Sequence, residues 1–354
     1  VHQTSLNSTD LVMDMVLVSS TEPLQLLRGP YLQVGTPTSI VVRWRTDRAT
    51  ESIVRYGTVL ANPSRQAGTT DLKTEHEVLL DDLYPNTRYY YDVGGTDFVL
   101  AGDSTHSFVT PPSLGTPKPT RVWVIGDSGL PGPDQRDVRD AYAAYTDGTR
   151  TDVWLMLGDN AYASGTDAEY QSAVFMAYPE LLRTTVLWPT RGNHDFIHAG
   201  DDNDYYDIFT MPTQGEAGGL MSGTEAYYSF DFANIHFICL DSQGSSLSPG
   251  GAMLTWLAAD LMSTTRDWII AYWHHPPYSK GSHDSDLESV LITMRTNVLP
   301  VLEDGGVDLV LTGHSHSYER SFLLDGHYDW SWTLAPEHKI DEGDGRPTGD
   351  GAYA

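Results

Sequence analysis

The feature that most constrains this chain is a repeated pairing. An apolar run of strand length is followed at once by a short polar cluster. The runs 121-RVWVI-125, 153-VWLML-157, 186-VLWP-189, 268-WIIAYW-273 and 307-VDLVL-311 lead into 126-GDSG-129, 158-GDNAY-162, 192-GNHD-195, 274-HHPP-277 and 313-GHSH-316. Continuous apolar runs read as strands buried on both faces, the pattern of sheets covered by helices. Helical periodicity lies between several of them, at 134–145, 167–178, 252–262 and 286–303, with Pro300 expected to end or kink the last. A further apolar run, 235-IHFICL-240, holds the one cysteine, Cys239, expected to pack in a strand core. Such alternation predicts an α/β domain.

In open α/β sheets the carboxyl ends of the strands share one edge, where ligands bind. The polar clusters should therefore converge although they span almost two hundred positions. Asp127 and Asp159 offer carboxylate oxygens, Asn193 an amide oxygen, and His274, His314 and His316 imidazole nitrogens. This sulfur-free set suits Fe, Mn, Zn or similar ions. It is too many ligands for one tetrahedral centre, and it fits two ions about 3.5 Å apart with one bridging carboxylate. Asp159 is the natural bridge. Tyr162, three residues on, would need a strongly polarising cation to ionise at neutral pH, since a free phenol has a pKa of about 10. A ferric ion meets that need best.

The segment before these motifs reads differently. Residues 39–46, 52–57 and 87–93 alternate in the manner of strands, separated by turns such as 34-VGTPT-38 and 84-YPNT-87. This predicts a small β-sandwich. The run 82-DLYPNTRYYYDV-93 resembles the Leu-x-Pro-x-Thr-x-Tyr signature of fibronectin type III domains, which implies seven strands. The Pro-rich stretch 111-PPSLGTPKPT-120 is the best boundary. The expected organisation is an N-terminal arm at 1–23, a sandwich at 24–112, a linker at 113–120 and a catalytic domain at 121–354. In the arm, 11-LVMDMVLV-18 could form an edge strand; the acidic, Gly-rich 341–351 is expected to be mobile.

Composition narrows the function. The formal charge of −27 repels nucleic-acid backbones, so a nucleic-acid-binding module is not expected. A phosphate-bearing substrate would also be repelled unless bound cations reversed the local field. A single thiol excludes an intrachain disulfide framework and a multi-Cys zinc site. No apolar stretch is long enough to span a membrane. The sequence starts at Val1 without a leader, as a processed or trimmed chain would.

The set GDSG, GDNAY, GNHD, HHP and GHSHSYER is similar to the five-motif signature of the calcineurin-like metallophosphoesterases. Tyr162, the 316-HSYER-320 extension and the preceding sandwich resemble the purple acid phosphatase branch. The resemblance covers roughly residues 24–320. It implies a two-sheet αββα sandwich and a binuclear hydrolase of phosphate monoesters. Asp127, Asp159, Tyr162 and His316 would hold a ferric ion; Asp159, Asn193, His274 and His314 would hold a divalent Zn, Mn or Fe. The family pattern favours His274 over His275, and sequence alone leaves both open. His194 should point at the phosphoryl group, with Asp195 accepting its other N–H. His283 matches a third pocket histidine able to protonate a leaving group. The remaining histidines, among them His76, His106, His198, His236 and His327, are expected to be structural or exposed.

The expected reaction is in-line attack of hydroxide on phosphorus, releasing inorganic phosphate without a covalent phosphoenzyme. The alternatives are a phosphodiesterase or nucleotide hydrolase using the same centre, and a secreted binding protein whose metals only support the fold. The sandwich would serve as a spacer or homodimer surface, and the protein would be secreted or periplasmic. The family also continues past its last motif with another core strand and a Gly-rich turn. The sequence after residue 320 offers no convincing strand.

Overall fold

The computed structural model describes residues 22–197 and 204–341. The segment 11–18, His198 and the acidic stretch from 342 onward lie outside the described residues.

The N-terminal unit is all-β: β1 (Leu26–Gln33), β2 (Ile40–Gly57), β3 (Arg65–Leu80), β4 (Arg88–Gly95), β5 (Phe98–Ala101) and β6 (Ser107–Val109). Six strands are present among the described residues, not the expected seven. The reason is β2. The two runs read as separate strands are one 18-residue strand, whose pairing with β3 shifts between Arg45 and Ser52. Its first half also pairs with β1 and its second half with β4. That strand thus ties β1, β3 and β4 into one six-stranded sheet around a core that includes Trp44, Tyr56, Tyr89 and Phe108. The LxPxTxY run closes on itself as a tyrosine corner: the Tyr89 hydroxyl accepts a hydrogen bond from Tyr84 N at 3.0 Å.

The second unit has two facing sheets. The first is fully parallel, in the order β7 (Val122–Ile125), β8 (Val153–Leu157), β9 (Leu187–Thr190). The other has the order β10 (Tyr228–Phe232), β11 (Ile235–Cys239), β12 (Trp268–Trp273), β13 (Leu309–Thr312). There β10 runs antiparallel to β11 and the rest are parallel. The sheets meet through large side chains, with Trp188 stacked on Phe230 at 3.8 Å between ring centres. The outer face of the second sheet packs on the helix Ala252–Ser263 and on Met294, Val298, Leu299 and Leu302. Cys239 is fully buried in β11, and burial pushes its thiol up to about 12.

Pro300 does not end its helix. The helix runs to Asp304, and the irregularity falls one turn earlier as a π turn over Met294–Val298. Past the last motif, the short strands β14 (Leu323–Leu324) and β15 (Lys339–Asp341) pair antiparallel where no strand was expected. Two residues on one side give too little periodicity to read.

The two units share a core rather than hanging on a linker. Tyr31, Val34 and Val41 of the sandwich belong to the main catalytic cluster. The Tyr31 hydroxyl donates to Ile208 O at 2.6 Å, and Gln33 Nε2 to Leu187 O at 3.0 Å. The Pro-rich segment is itself tied down, Gly115 N donating to Ala233 O at 2.8 Å.

Three histidines outside the motifs are structural. His76 stacks on Trp44, and His106 pairs with Asp103. His236 lies buried between Asp231 (2.7 Å from Nδ1) and Asp260 (2.9 Å from Nε2). Burial alone would lower its pKa, but the two carboxylates outweigh it and push the value up to about 9. A raised histidine pKa adds stability that is complete below the unfolded value, about 6.5, and is lost as pH rises through the folded one. The span corresponds to about 3 kcal/mol. Urea unfolding of the protein should therefore show stability falling between pH 6.5 and 9. His236→Gln should remove that slope; an identical slope in the variant refutes the charged clamp.

Candidate metal centre

The parallel strands β7, β8, β9, β12 and β13 deliver their carboxyl ends to one rim, and the motifs interlock across it. Asp127 N donates to Gly158 O at 3.0 Å and Gly313 N to His274 O at 2.9 Å. His314 N donates to Asp127 Oδ2 at 2.8 Å, joining the two sheets. Asp127, Asp159, His314 and His316 all have left-handed backbones, with φ of 54°, 52°, 71° and 48°. Such conformations cost about 1–3 kcal/mol each and persist where the surroundings over-determine them. Two motif glycines are required by close approach. A Cβ at Gly158 (φ 91°) would sit 2.6 Å from His274 Nδ1, and one at Gly192 would sit 2.1 Å from Asp159 Oδ1.

The side chains form two groups. In one, the Tyr162 hydroxyl lies 2.9 Å from Asp159 Oδ2, 3.5 Å from Asp127 Oδ1 and 3.0 Å from His316 Nε2. His316 Nε2 is 3.5 Å from Asp127 Oδ1. In the other, His274 Nε2 lies 3.0 Å from Asn193 Oδ1, 3.1 Å from His314 Nδ1 and 3.5 Å from Asp159 Oδ1. Asp159 joins the groups, turning one oxygen to each. All seven side chains expected as ligands are thus brought together.

The donor chemistry fits cations. His274 Nδ1 faces Leu157 O at 2.9 Å, so Nδ1 carries the proton and Nε2 is a lone pair. That lone pair points at another acceptor, the Asn193 amide oxygen. Their 3.0 Å spacing is one that two donors about 2 Å from a shared cation adopt. Charge is also mismatched without cations. Burial, then the neighbouring Asp159, push Asp127 up to about 7. Burial, then Asp159 and Asp127, push the Tyr162 phenol well above its usual range. Burial pushes His274 down to about 3. Positive ions would reverse both acidic shifts and suit the neutral imidazole.

Sequence left His274 and His275 open. His274 aims Nε2 at Asn193 and Asp159, whereas His275 Nδ1 pairs with Ser242 Oγ at 2.8 Å. His283 stacks on His314 at 3.7 Å between ring centres, beside the cluster. His194 turns Nε2 towards Asp159 Oδ2, 4.0 Å away.

Asp195 corrects an expectation. It does not touch the His194 imidazole, whose Nδ1 meets Ala163 O at 2.7 Å. Its buried carboxylate instead accepts from Asn160 N, Ala161 N, Gly192 N, Asn160 Nδ2 and the Tyr170 hydroxyl. Being next to a histidine in sequence does not place a carboxylate beside its ring: His194 and Asp195 are adjacent in the helix His194–Ile197 and point apart. Sequence reading also missed Glu288. Its carboxylate lies 2.9 Å from His283 Nδ1 and 3.7 Å from His314 Nε2. Nothing in 286–303 beyond helical periodicity marked it.

Facing sheets whose strand ends gather carboxylate, amide, phenol and imidazole donors around one shared aspartate form an α/β site whose donor set fits two metal ions. Residues 120–318 match the calcineurin-like phosphoesterases, and residues 28–110 match the N-terminal domain of purple acid phosphatases. The chain belongs to the calcineurin-like phosphoesterase family, in its purple acid phosphatase branch. Among similar proteins, probable purple acid phosphatase 20 of Arabidopsis thaliana is 29% identical, over 82% of this chain and 68% of its own length. Purple acid phosphatase 21 of the same plant is 33% identical, over 69% of this chain and 53% of its own. A solved purple acid phosphatase from yellow lupin shares the fold, with TM-score 0.61, 18% identity and coverage of 81% and 58%. The chain thus spans about half to two thirds of these relatives' length.

Proposed function

We propose that the protein is a binuclear metal-dependent hydrolase of phosphate monoesters. The observation that carries this is Asp159, with Oδ2 2.9 Å from the Tyr162 hydroxyl and Oδ1 3.5 Å from His274 Nε2. Asp127, Asp159, Tyr162 and His316 would hold a ferric ion. Asp159, Asn193, His274 and His314 would hold a divalent Zn, Mn or Fe. Together the two cations would neutralise phosphoryl charge and lower the pKa of water towards neutrality.

The chain's own residues then have distinct tasks. With Nδ1–H committed to Ala163 O, His194 can donate to a phosphoryl oxygen only as the imidazolium, from Nε2. His283 has Nδ1 against Glu288, leaving Nε2 to protonate the departing alkoxide. That task needs the ring protonated at both nitrogens. Among the described residues no helix is long and apolar enough to cross a membrane. The resemblance to purple acid phosphatases supports a secreted or periplasmic setting.

One set of measurements tests the reading. The purified protein should contain two metals per chain, hydrolyse an aryl phosphate monoester faster than an aryl diester, and lose activity on chelation. An iron(III)–phenolate would colour it, and Tyr162→Phe should bleach the visible band. A strong diester preference would move the protein to phosphodiesterases. Metal-replete protein inert towards every activated phosphate ester would point instead to a structural site. Colourless, active protein would overturn the ferric assignment alone.

A further inference from the structure

His194 takes its orientation from a main-chain carbonyl, so whatever fixes Ala163 fixes the imidazole. One carboxylate does most of that. Glu169 accepts from Ala163 N at 2.7 Å, Ser164 N at 3.2 Å, Thr166 N at 2.9 Å and Thr166 Oγ1 at 2.9 Å. Thr166 Oγ1 accepts in turn from Glu169 N, closing a capping box on the helix Asp167–Tyr170. Gly165, with φ 71°, lets this loop lie against Asp195, where a Cβ would come within 2.7 Å of the Asp195 Cα.

The helix that supplies Glu169 is gripped from the other domain. Arg45 of β2 binds both oxygens of Asp167, at 2.7 and 2.8 Å. Arg28 of β1 donates to Asp167 Oδ1 at 2.8 Å and to Gln171 Oε1 at 2.8 Å. Its side chain is 0% exposed, and its guanidinium lies 4.4 Å from the centre of the Phe175 ring. Forked guanidinium–carboxylate pairs fix orientation as well as distance. A domain acting as a spacer has no use for a forked Arg45 pair and a buried Arg28 converging on the helix that carries Glu169.

We propose that the N-terminal sandwich is a working part of the active site. Arg28 and Arg45 are positioning residues for His194, acting through Asp167, the Glu169 capping box and the Ala163 carbonyl. The proposal rests on the reading of His194 as the histidine that meets the phosphoryl group. A displacement of about 1 Å at such a group can cost up to 10²-fold in rate, so a small relaxation of the loop should be measurable.

The test is a double-mutant cycle on the full, metal-loaded chain with an aryl phosphate. Arg45→Met should lower kcat about tenfold, with KM changing less. In a His194→Ala background the same substitution should change kcat less than about twofold, because the group it positions is gone. Arg45→Lys should recover part of the loss. Equal losses in both backgrounds overturn the proposal. Thermal unfolding of each variant reads loss of fold separately. If Arg45→Met does not fold, Glu169→Gln runs the same cycle without touching the domain interface.

A second readout needs no turnover. The long-range 1H–15N spectrum should show the His194 imidazole protonated at Nδ1, and Arg45→Met should shift or broaden that signal. An unchanged signal overturns the proposal. The expected change in a protein that hydrolyses nothing would sink the phosphatase reading and leave the positioning intact.

Discussion

Asp159→Ala should lower kcat/KM by about 10³-fold or more and reduce bound metal from two ions to at most one. The carboxylate is the shared member of both donor groups. Removing it strips one oxygen from each and leaves Asn193, His274 and His314 without an anionic partner. Metal ions contribute several kcal/mol of transition-state stabilisation, and each 1.4 kcal/mol is tenfold in rate, so losing about 4 kcal/mol gives three decades. A second consequence is local. Asp159 Oδ1 accepts from His194 N at 2.9 Å, so the loop bearing His194 should loosen as well. Steady-state kinetics with metal analysis on the same preparation provides the check. Activity within tenfold of the parent, with two ions retained, would mean that the two donor groups do not share this residue.

Asp195→Ala should act mainly on stability, by about 3–5 kcal/mol, and urea unfolding should record it. The carboxylate is almost fully buried. It gathers Gly192 N at 2.8 Å, Asn160 N at 3.0 Å, Ala161 N at 3.2 Å, Asn160 Nδ2 at 3.0 Å and the Tyr170 hydroxyl at 2.7 Å. Each buried donor left without an acceptor costs about 1–3 kcal/mol, and breaking up a buried ionic hub falls in the same total range. Burial pushes the carboxyl up to about 6, and hydrogen bonds from Gly192, Tyr170 and Asn160 hold it from rising further. The opposite outcome is informative: lost kcat with stability unchanged would restore a direct role for Asp195 beside His194.

The two residues mark where sequence reading succeeds and where it stops. Asp159 could be read because its context is local. An apolar run sets the strand, the strand sets the side of the sheet, and a parallel sheet puts such ends on one rim. The same reasoning reached Asp127, Asn193, His314 and His316. The role that the resemblance implied for Asp195 does not hold, because adjacency to His194 in sequence does not bring its carboxylate to that ring. Neighbours on a helix diverge by about 100°, and the carboxylate turns back into the β8 and β9 loops. Glu288 and the Ala163 carbonyl were invisible for a related reason. Each reaches its histidine by loop geometry, and a main-chain carbonyl carries no residue-type signal at all. The Arg28 and Arg45 grip on Asp167 joins positions more than 120 residues apart, a separation that one sequence cannot register.

By itself, then, the sequence determined the alternation of strands and helices, the β-rich unit ahead of it, and the identity of the donors at the strand ends. These follow from side-chain chemistry and from periods of two and 3.6 residues, both properties of short stretches. Only the tertiary structure decided which oxygen of Asp159 faces which group, what orients His194, and that the sandwich is docked rather than tethered. Those depend on directions and distances between segments remote in the chain, fixed by packing two sheets and a second domain into one interior.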